Sequence, residues 1–501
     1  MNFEVIAFVL YFVLMLAIGA YFFFVGRKGN SEKDYFLGGR AMGPWVTALS
    51  AQASDMSAWL LMGLPGSILA FGLGQAWIGI GLGIGTALNW ILVARRLRKF
   101  SKASNDSITL PQYLSNRFLS KSHTLSILCA VVFLISFTIY VASAFVAGAN
   151  VFSTLFPSLS DSAAIIIFAA IILVYTFLGG YKAVCWTDFF QGMLMLCALL
   201  VTPIIVSVAA KPDPATLAQT YVNVKDGTQY VFTSSFFSAT WQEILSGLGW
   251  GLGYFGMPHI LVRFMSIEKP SMVKKSATVA IIWVVISLAA AILIAYLGRM
   301  VVGAELLPDG NQKLVFITLA RKYFPTFLAG LLLSAIIAAS MSTADSQLLV
   351  ASSSFTSDIY KPLIRKKASQ TELLWVGRVV VILVAIVAYL IASSRSSGAQ
   401  TIMNLVENAW GIFGASFGPV VILSLFWKRF TYKGAVAGIA AGALTDILWL
   451  IFLSGSTGVY EIVPGFLVGF AASVIAALLD SKPSDAVVAI YDKATDDSVD
   501  D

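Results

Sequence analysis

The sequence predicts an all-α membrane protein whose helices cross the bilayer many times. Of its 501 residues, 58% are hydrophobic and only 12% are charged, and its mean hydropathy is +0.84. A soluble protein with so few charged side chains could not cover its surface with polar groups. Apolar stretches of roughly 17–25 residues, long enough to span a bilayer, recur from one end of the chain to the other.

These stretches predict about thirteen membrane-spanning helices. The first is expected to be a retained helix rather than a signal peptide, because Glu4 precedes it and Arg27 and Lys28 follow it. In chain order, the predicted helices cover residues 5–26, 46–72, 75–94, 125–155, 162–181, 186–209, 236–266, 277–298, 315–346, 375–394, 401–426, 433–454 and 462–479.

The distribution of positive charge predicts the orientation of these helices. With the N-terminus outside, most of the 33 Lys and Arg residues fall on the cytoplasmic side, as the positive-inside rule requires. The basic clusters at 94–100, 271–275, 364–367 and 427–430 all lie there. An odd number of helices then places the C-terminus in the cytoplasm.

The chain divides into segments around this topology. We expect a first helix and cytoplasmic loop (1–45), a five-helix repeat (46–209), an extracellular loop (210–235), a second five-helix repeat (236–426), two peripheral helices (427–479) and an acidic, disordered cytoplasmic tail (480–501).

Helices 2 and 7 differ from the rest because they contain residues that interrupt a helix. Helix 2 contains Gly63, Pro65 and Gly66, and helix 7 contains "SGLGWGLGYFGMPHI", with five glycines and a proline. Freed backbone groups are tolerated in a membrane only beside a cavity or another buried helix. Five helices separate the starts of these two elements, so we expect inverted repeats of helices 2–6 and 7–11, an architecture typical of transporters.

Asp55 is the acid that most strongly indicates function. It lies within helix 2 beside Ser54 and Ser57, where an isolated carboxylate costs at least ~2.5 kcal/mol. One interpretation is a carboxylate held by backbone amides or a neighbouring hydroxyl. The other, which the adjacent break favours, is part of a cation pathway.

A second polar group lies near the predicted cytoplasmic end of helix 9. The hydroxyls of Ser342 and Thr343 and the carbonyl of Ala339 offer three uncharged oxygens, and the carbonyls of Ala53 and Met56 in a broken helix 2 would complete a shell for Na⁺. Alternatively, both hydroxyls bond to the preceding turn of their own helix.

Four other acids lie at membrane depth or at its edge. Asp188 and Asp345 are candidates for a second cation site or an inner salt bridge, whereas Glu407 and Asp446 have no assigned role.

Aromatic residues near the middle of helices 2, 4 and 7 form a third group. Trp59, Tyr140, Trp250 and Tyr254, with Pro258 beyond them, could enclose a small zwitterion that has an apolar body. Packing within the core is the alternative interpretation for each aromatic residue taken singly.

Other classes of function find little support. The chain has two histidines and three cysteines without metal-type spacing, so a metal enzyme is not expected. It has no phosphate-binding loop for ATP-driven transport, and its positive charge belongs to membrane loops rather than to a nucleic-acid surface.

Four segments together resemble the sodium/solute symporter family. They are "GGRAMGPWVTALSAQASDMSAWLLMGLPG" (38–66), "FTIYVASAFVAGA" (137–149), "GWGLGYFGMPHILVRFM" (249–265) and "LLLSAIIAASMSTADSQLLV" (331–350). Their order and extent match nearly the whole chain, most closely the bacterial members that take up L-proline with sodium. The resemblance implies a leucine-transporter-type core of five plus five inverted helices and no enzymatic activity.

The resemblance also implies roles for individual residues. The family's sodium site falls on Ala53, Met56, Ala339, Ser342 and Thr343. Asp55, Ser57 and Asp188 fall on positions associated with sodium coupling, and Trp59, Tyr140, Trp250, Tyr254 and Pro258 on the substrate region.

Two departures from the family pattern concern substrate preference. Ala58 replaces an expected glycine, and Met257 replaces an expected glutamine beside Pro258. Another small solute or proton coupling is therefore an alternative within transport. An ion channel or a membrane sensor is the alternative from another class, although the short tail leaves no room for a signalling domain.

Overall fold

The computed structural model describes residues 3–26, 32–178, 180–395 and 401–496, most of which are helical. In the first half the helices are α1 (Phe3–Gly26), α2 (Glu32–Leu37), α3 (Pro44–Met56), α4 (Gly63–Phe71), α5 (Ala76–Leu88), α6 (Arg95–Ala103), α7 (Leu110–Arg117), α8 (Thr124–Leu155), α9 (Asp161–Leu178) and α10 (Tyr181–Ala209). In the second half they are α11 (Trp241–Gly249), α12 (Pro258–Ser266), α13 (Val273–Leu306), α14 (Val315–Tyr323), α15 (Thr326–Ser354), α16 (Gln370–Arg395), α17 (Thr401–Phe426), α18 (Tyr432–Phe452), α19 (Ser454–Thr457), α20 (Ile462–Leu479) and α21 (Asp485–Thr495).

The described residues contain ten helical segments long and apolar enough to cross a membrane, which confirms a polytopic helical fold. They are Phe3–Tyr21, Leu73–Ala103, Thr124–Leu155, Tyr181–Ala209, Pro270–Leu306, Thr326–Ile364, Gln370–Ser394, Thr401–Phe426, Tyr432–Phe452 and Ile462–Leu479. Ala58–Phe71 and Asp161–Val174 are shorter apolar helices.

Helix α15 lies at the centre of the molecule. It packs against α1, α3, α8 and α10, and every residue from Leu332 to Ser354 is buried. Helix α17 packs against α8, α18 and α20. The polar residues of α15 therefore face other helices rather than lipid.

The predicted helix 9 (315–346) is wrong at both ends. Pro325 follows Tyr323, the last residue of α14, by two positions, and α15 begins at Thr326, because proline removes a backbone donor and is favoured at a helix start. The helix then continues beyond 346 to Ser354 and, with π-helical hydrogen bonds, to Ile364. Its polar residues are buried between helices, so they do not mark its end. Ser342 and Thr343 consequently lie near its middle.

The expectation of a disordered tail is wrong for residues 485–495, which form α21. This short helix packs against α6 and α7. Nη1 of Arg117 donates to the carbonyl of Val487 at 3.1 Å, and Lys428 pairs with Asp492 at 2.8 Å. Asp492 and the backbone of Val487 thus find basic partners on the helical bundle.

The segment predicted as a loop, 210–235, contains a small antiparallel hairpin. Its strands β1 (Tyr221–Val222) and β2 (Gln229–Tyr230) pair with each other. The hairpin segment reaches the end of α4, where the amide of Leu73 donates to the carbonyl of Thr233 at 2.7 Å.

Close approach between two glycine-rich segments fixes the position of α11. A Cβ atom at Gly81 would lie 2.1 Å from the carbonyl oxygen of Gly247, and one at Gly85 would lie 2.4 Å from that of Gly251. Small residues allow helix backbones to approach closely in membranes. The glycines of "SGLGWGLGYFG" therefore serve packing against α5 as well as interruption of the helix.

Candidate functional site

The first element of the site is the end of α3. This helix stops at Met56, and Ser57 adopts φ 46° and ψ −174° before a single 3₁₀ turn at Ala58–Leu60. The Ser57 hydroxyl caps that turn by accepting from the amide of Trp59 at 3.0 Å. A non-glycine residue in such a conformation costs on the order of 1–3 kcal/mol, and such strain clusters at functional sites.

The second element is the 3₁₀ segment Trp250–Phe255 between α11 and α12. Trp250 and Tyr254 both lie on it and are buried. The backbone carbonyl of Tyr254 accepts from Asn89 at 3.0 Å. Asn89 begins the π-helical stretch Asn89–Ala94 that directly continues α5, so this bond attaches the 3₁₀ segment to it. Both interrupted segments thus present side chains to one region.

At the end of α3, oxygens from two helices meet. The hydroxyl of Ser342 lies 2.8 Å from the carbonyl oxygen of Ala53 and 3.1 Å from that of Ala339. The neighbouring Thr343 hydroxyl is fully buried and has no hydrogen-bond partner among the described residues. Converging uncharged oxygens, one of them without a partner, fit the ligand preference of a hard cation.

Three of the five predicted sodium ligands are therefore connected through one hydroxyl, that of Ser342. Ala53, Ala339 and Ser342 share the hydrogen bonds just described. Thr343 follows Ser342 directly, and Met56 is the last residue of α3. Among the described residues, no side-chain hydrogen bond connects Met56 or Thr343 to the other three.

Asp55 links this region to the aromatic residues. The Tyr254 hydroxyl donates to Oδ2 of Asp55 at 2.7 Å, and the Tyr140 hydroxyl donates to its backbone carbonyl at 3.1 Å. Within the described ranges, no Lys or Arg pairs with this carboxylate. A buried carboxylate beside oxygens that lack positive partners creates a region that attracts cations.

The aromatic residues surround a narrow cavity of about 10 Å³, room for about one water molecule. Trp59 and Trp250 stack with their ring centroids 5.4 Å apart. The cavity is lined by Asp55, Met56, Trp59, Leu82, Tyr140, Trp250, Tyr254, Val406 and Trp410. Four of the five predicted substrate residues line it, whereas Pro258, buried at the start of α12, does not.

Trp410 belongs to this site but is absent from the sequence-based prediction. Its indole nitrogen donates to the carbonyl of Trp250 at 2.7 Å, and its ring meets Tyr254 edge-on at 5.1 Å. An aromatic ring near the middle of an apolar span is a usable indication, because tryptophan normally lies at the membrane interfaces.

A larger vestibule of about 320 Å³ adjoins the cavity. It lies on the side of the molecule that carries the hairpin, and its lining includes Gln75, Glu243, Met403, Glu407 and Tyr460. Trp250 lines both spaces. The indole nitrogen of Trp59 approaches the sulfur of Met403 at 2.9 Å, so Trp59, Trp250 and Met403 form a thin layer between the vestibule and the cavity.

Asp188 lies in a separate polar cluster. It pairs with Nη2 of Arg263 at 3.0 Å and accepts from the Ser50 hydroxyl at 2.7 Å. Arg263 also donates to Ser346, next to the buried Asp345. The sequence-based prediction omits Arg263, although a single arginine in an apolar helix is a functional indication.

Comparisons with known proteins give a consistent result. The model of the family described as "Sodium:solute symporter family" matches residues 35–442. A sodium/proline symporter of Escherichia coli (strain K12) is 44% identical over 96% of this chain and 94% of its own length. An osmoregulated proline transporter of Bacillus subtilis (strain 168) is 38% identical over 96% of both chains.

Two solved structures share the fold. One is a Na⁺-coupled sialic acid symporter in a substrate-bound outward-open state, with a TM-score of 0.75, 21% identity and coverage of 97% of this chain and 99% of the other. The second is a nucleobase-cation-symport-1 family transporter in a closed conformation, with a TM-score of 0.57, 14% identity and coverage of 92% and 98%.

Proposed function

Because the chain belongs to the sodium:solute symporter family, we propose that it takes up L-proline across a bacterial membrane together with Na⁺. It is a transporter rather than an enzyme. The names of its relatives at 44% and 43% identity, both sodium/proline symporters covered over most of their length, support the choice of substrate.

The proposed coupling of Na⁺ binding to substrate binding rests on one observation. The Ser342 hydroxyl contacts the carbonyl of Ala53 at the end of α3. Two residues further along α3, Asp55 bonds to Tyr254 in the wall of the aromatic cavity. A cation held at the first contact therefore lies within one helical turn of the residues that would hold the substrate.

The proposed residue roles follow this arrangement. Na⁺ is held by oxygens of Ala53, Met56, Ala339, Ser342 and Thr343. Asp55, Ser57 and Asp188 assist sodium coupling. Trp59, Tyr140, Trp250, Tyr254 and Pro258 form the substrate region, and freed backbone groups meet the charged ends of proline.

The proposed architecture has thirteen membrane-spanning helices. Ten of these helices are the long apolar segments. The other three are α3 together with α4, α9 alone, and α11 together with α12. Helices 2–6 (residues 46–209) and helices 7–11 (residues 236–426) form a leucine-transporter-type core of inverted repeats. The N-terminus lies outside, the C-terminal helix α21 lies in the cytoplasm, and the vestibule opens to the outside.

Coupling then follows from the shared conformation of the two sites. Na⁺ at the end of α3 fixes Asp55 and Tyr254 and so prepares the aromatic cavity for proline. A cavity with room for about one water must widen to admit proline, which requires Trp59 and Trp250 to separate. Occupancy of both sites favours the change to the inward-facing state, as linkage between two ligands requires.

The test is uptake of radiolabelled L-proline by proteoliposomes that contain the purified protein. An inward Na⁺ gradient should drive transient uphill accumulation, whereas replacement of Na⁺ by K⁺ should abolish it. Vesicles without protein serve as the control. Sodium-independent accumulation would refute sodium coupling.

The substrate is tested separately from the coupling ion. If no proline enters while Na⁺ still stabilises the protein against heat, the choice of proline is wrong and sodium binding stands. Met257, buried at the start of α12, is then the first position to examine, because it replaces the amide that the family pattern places beside Pro258.

A further inference from the structure

A larger cavity lies elsewhere in the described part of the chain and shares no lining residue with this site. It is a groove of about 580 Å³ between α8, α16 and the π-helical continuation of α15. Its lining is apolar except at one end, where Tyr360 and Glu372 lie. Along α16 it is bounded by Trp375, Val376, Val379, Val380, Leu383 and Val384.

The length of the groove corresponds to one leaflet of a bilayer. From Trp375 to Val384 is nine residues along a helix, about 14 Å at 1.5 Å per residue, and the hydrocarbon core is about 30 Å thick. Trp375 and Tyr360 mark the polar end, as aromatic residues do at membrane interfaces. Val379 and Leu383 are each more than half exposed, so the groove faces the lipid.

The polar end of the groove is strongly basic. The segment 361–378 contains five basic residues, Lys361, Arg365, Lys366, Lys367 and Arg378, and one acidic residue, Glu372. That carboxylate is already engaged, because Oε1 accepts from the Tyr360 hydroxyl at 2.7 Å and lies 3.1 Å from Nε of Arg365. Lys366 and Lys367 are exposed and carry charge that Glu372 does not balance.

We propose that this groove binds an anionic phospholipid, with an acyl chain along α16 and the phosphate against Lys366 and Lys367. The apolar walls match one chain in one leaflet, and a basic cluster at the headgroup level attracts anionic lipid. The groove also touches the transport machinery. Phe355 in its wall lies on the continuation of α15, the helix that carries Ser342 and Thr343.

The headgroup contact is tested by native mass spectrometry of the purified protein with phosphatidylglycerol and with phosphatidylcholine of the same chains. The wild-type protein should retain phosphatidylglycerol preferentially. The double variant Lys366→Gln/Lys367→Gln should bind it roughly thirtyfold more weakly. A matched variant, Lys121→Gln/Lys274→Gln, also removes two exposed lysines and should behave as the wild type. Equal retention in both variants would overturn the headgroup assignment.

The acyl-chain contact is tested independently by filling the groove. Val379→Trp places a large ring in it, whereas Leu390→Trp adds the same ring to an exposed position of α16 outside the lining. Only Val379→Trp should reduce lipid retention in the same experiment. Equal retention by the two variants would refute the groove as the binding site. Neither experiment depends on the identity of the transported solute.

Discussion

Ser342 shows at the scale of one residue how a hydroxyl can serve two helices. Ser340, another buried serine of α15, bonds only within its own helix, to the carbonyl of Ile336 at 2.9 Å. Ser342 in addition reaches the carbonyl of Ala53 on α3. The same residue type two positions away therefore provides an internal comparison.

We expect Ser342→Ala to raise the Na⁺ concentration needed for half-maximal uptake about tenfold, because the cation loses one oxygen ligand of roughly 1–2 kcal/mol. Ser340→Ala should leave this concentration nearly unchanged. Sodium-dependent proline uptake in proteoliposomes measures both. Equal sodium dependence in the two variants would remove Ser342 from the cation site.

Trp250→Ala should weaken apparent proline affinity at saturating Na⁺, because the ring that stacks on Trp59 and lines the cavity is lost. Trp45, which is half exposed on the surface, supplies the matched substitution Trp45→Ala. Competition by unlabelled proline gives the affinity of each variant. If Trp250→Ala and Trp45→Ala have the same proline affinity, the stack of Trp59 and Trp250 serves packing alone.

The buried pair of Arg263 and Asp188 should be strongly interdependent. Arg263→Gln leaves a buried carboxylate without its positive partner, which costs about 3–5 kcal/mol. Asp188→Asn in addition should restore much of that stability. Thermal unfolding of the single and double variants gives the coupling energy. Additive effects would show that the two side chains act independently.

At the scale of elements, the contact between α5 and the 3₁₀ segment Trp250–Phe255, which follows α11, depends on the absence of side chains. A Cβ atom at Gly85 would collide with the backbone of Gly251, whereas one at Gly83, two residues earlier on the same helix, would have no neighbouring atom within 4 Å. The two glycines thus share sequence context and differ only in the face of the helix they occupy.

Gly85→Ala should lower the free energy of unfolding by about 1–3 kcal/mol, because the new methyl group forces the two backbones apart. Gly83→Ala should be neutral or stabilising by up to ~1 kcal/mol, since alanine has the higher helix propensity. Thermal melts in detergent distinguish them. Similar melting temperatures of Gly85→Ala and Gly83→Ala would mean that the 3₁₀ segment can shift without cost.

Ion pairs connect the segment around α2 to the loop that follows α6. Asp106 contacts Lys33 and, at 2.8 Å, Arg40. Burial acts to raise the pKa of Asp106, but the hydrogen bonds and positive charges of Lys33 and Arg40 outweigh it, so the pKa lies below its ordinary value of 3.8. The stabilisation is therefore complete above about pH 5 and is lost as the pH falls through the lowered pKa.

Melting temperatures of Asp106→Asn should consequently depend less on pH than those of the wild type below about pH 5. The effect should be small, because the carboxylate is 42% exposed and screened by solvent. Asp309→Asn, a change at an exposed loop aspartate, is the control. If the melting temperature of Asp106→Asn depends on pH as that of the wild type does, the ion pairs of Asp106 contribute nothing to stability.

The polar residues of α15 show what sequence patterns at this scale can and cannot indicate. Serine, threonine and aspartate in an apolar stretch correctly indicate an important position, but they also suggest the end of a helix, and that prediction is wrong. Whether a polar residue faces water or another helix depends on tertiary packing, which the local pattern does not contain. For the same reason the pattern does not reveal Arg263 and Trp410, whose partners lie 75 and 160 residues away.

For the whole molecule, composition is sufficient to predict a polytopic helical fold, because few charges and recurrent apolar stretches permit little else. The close match of four segments to one family adds the residue roles that we propose. Helix α21 escapes prediction because an acidic tail is typical of disorder until its basic partners on the bundle are known.

The energetics of transport are also a property of the whole molecule. One Na⁺ moving through 100 mV contributes about 2.3 kcal/mol, and a tenfold concentration gradient adds about 1.4 kcal/mol. Together they sustain a proline ratio of roughly 500-fold. If one Na⁺ accompanies each proline, removing the gradient at constant potential should lower the steady-state ratio about tenfold. A hundredfold fall would contradict this stoichiometry and indicate two sodium ions.

The vestibule has a consequence for pharmacology. Its 320 Å³ is separated from the aromatic cavity by a thin layer, formed by Trp250, which lines both spaces, and by Trp59 in contact with Met403. A proline derivative with a long substituent could place its ring in the aromatic cavity and its substituent in the vestibule, which would hold that layer apart. Such a compound should block uptake without itself being carried, and thereby act as an inhibitor selective for the state in which Trp59 and Trp250 are apart.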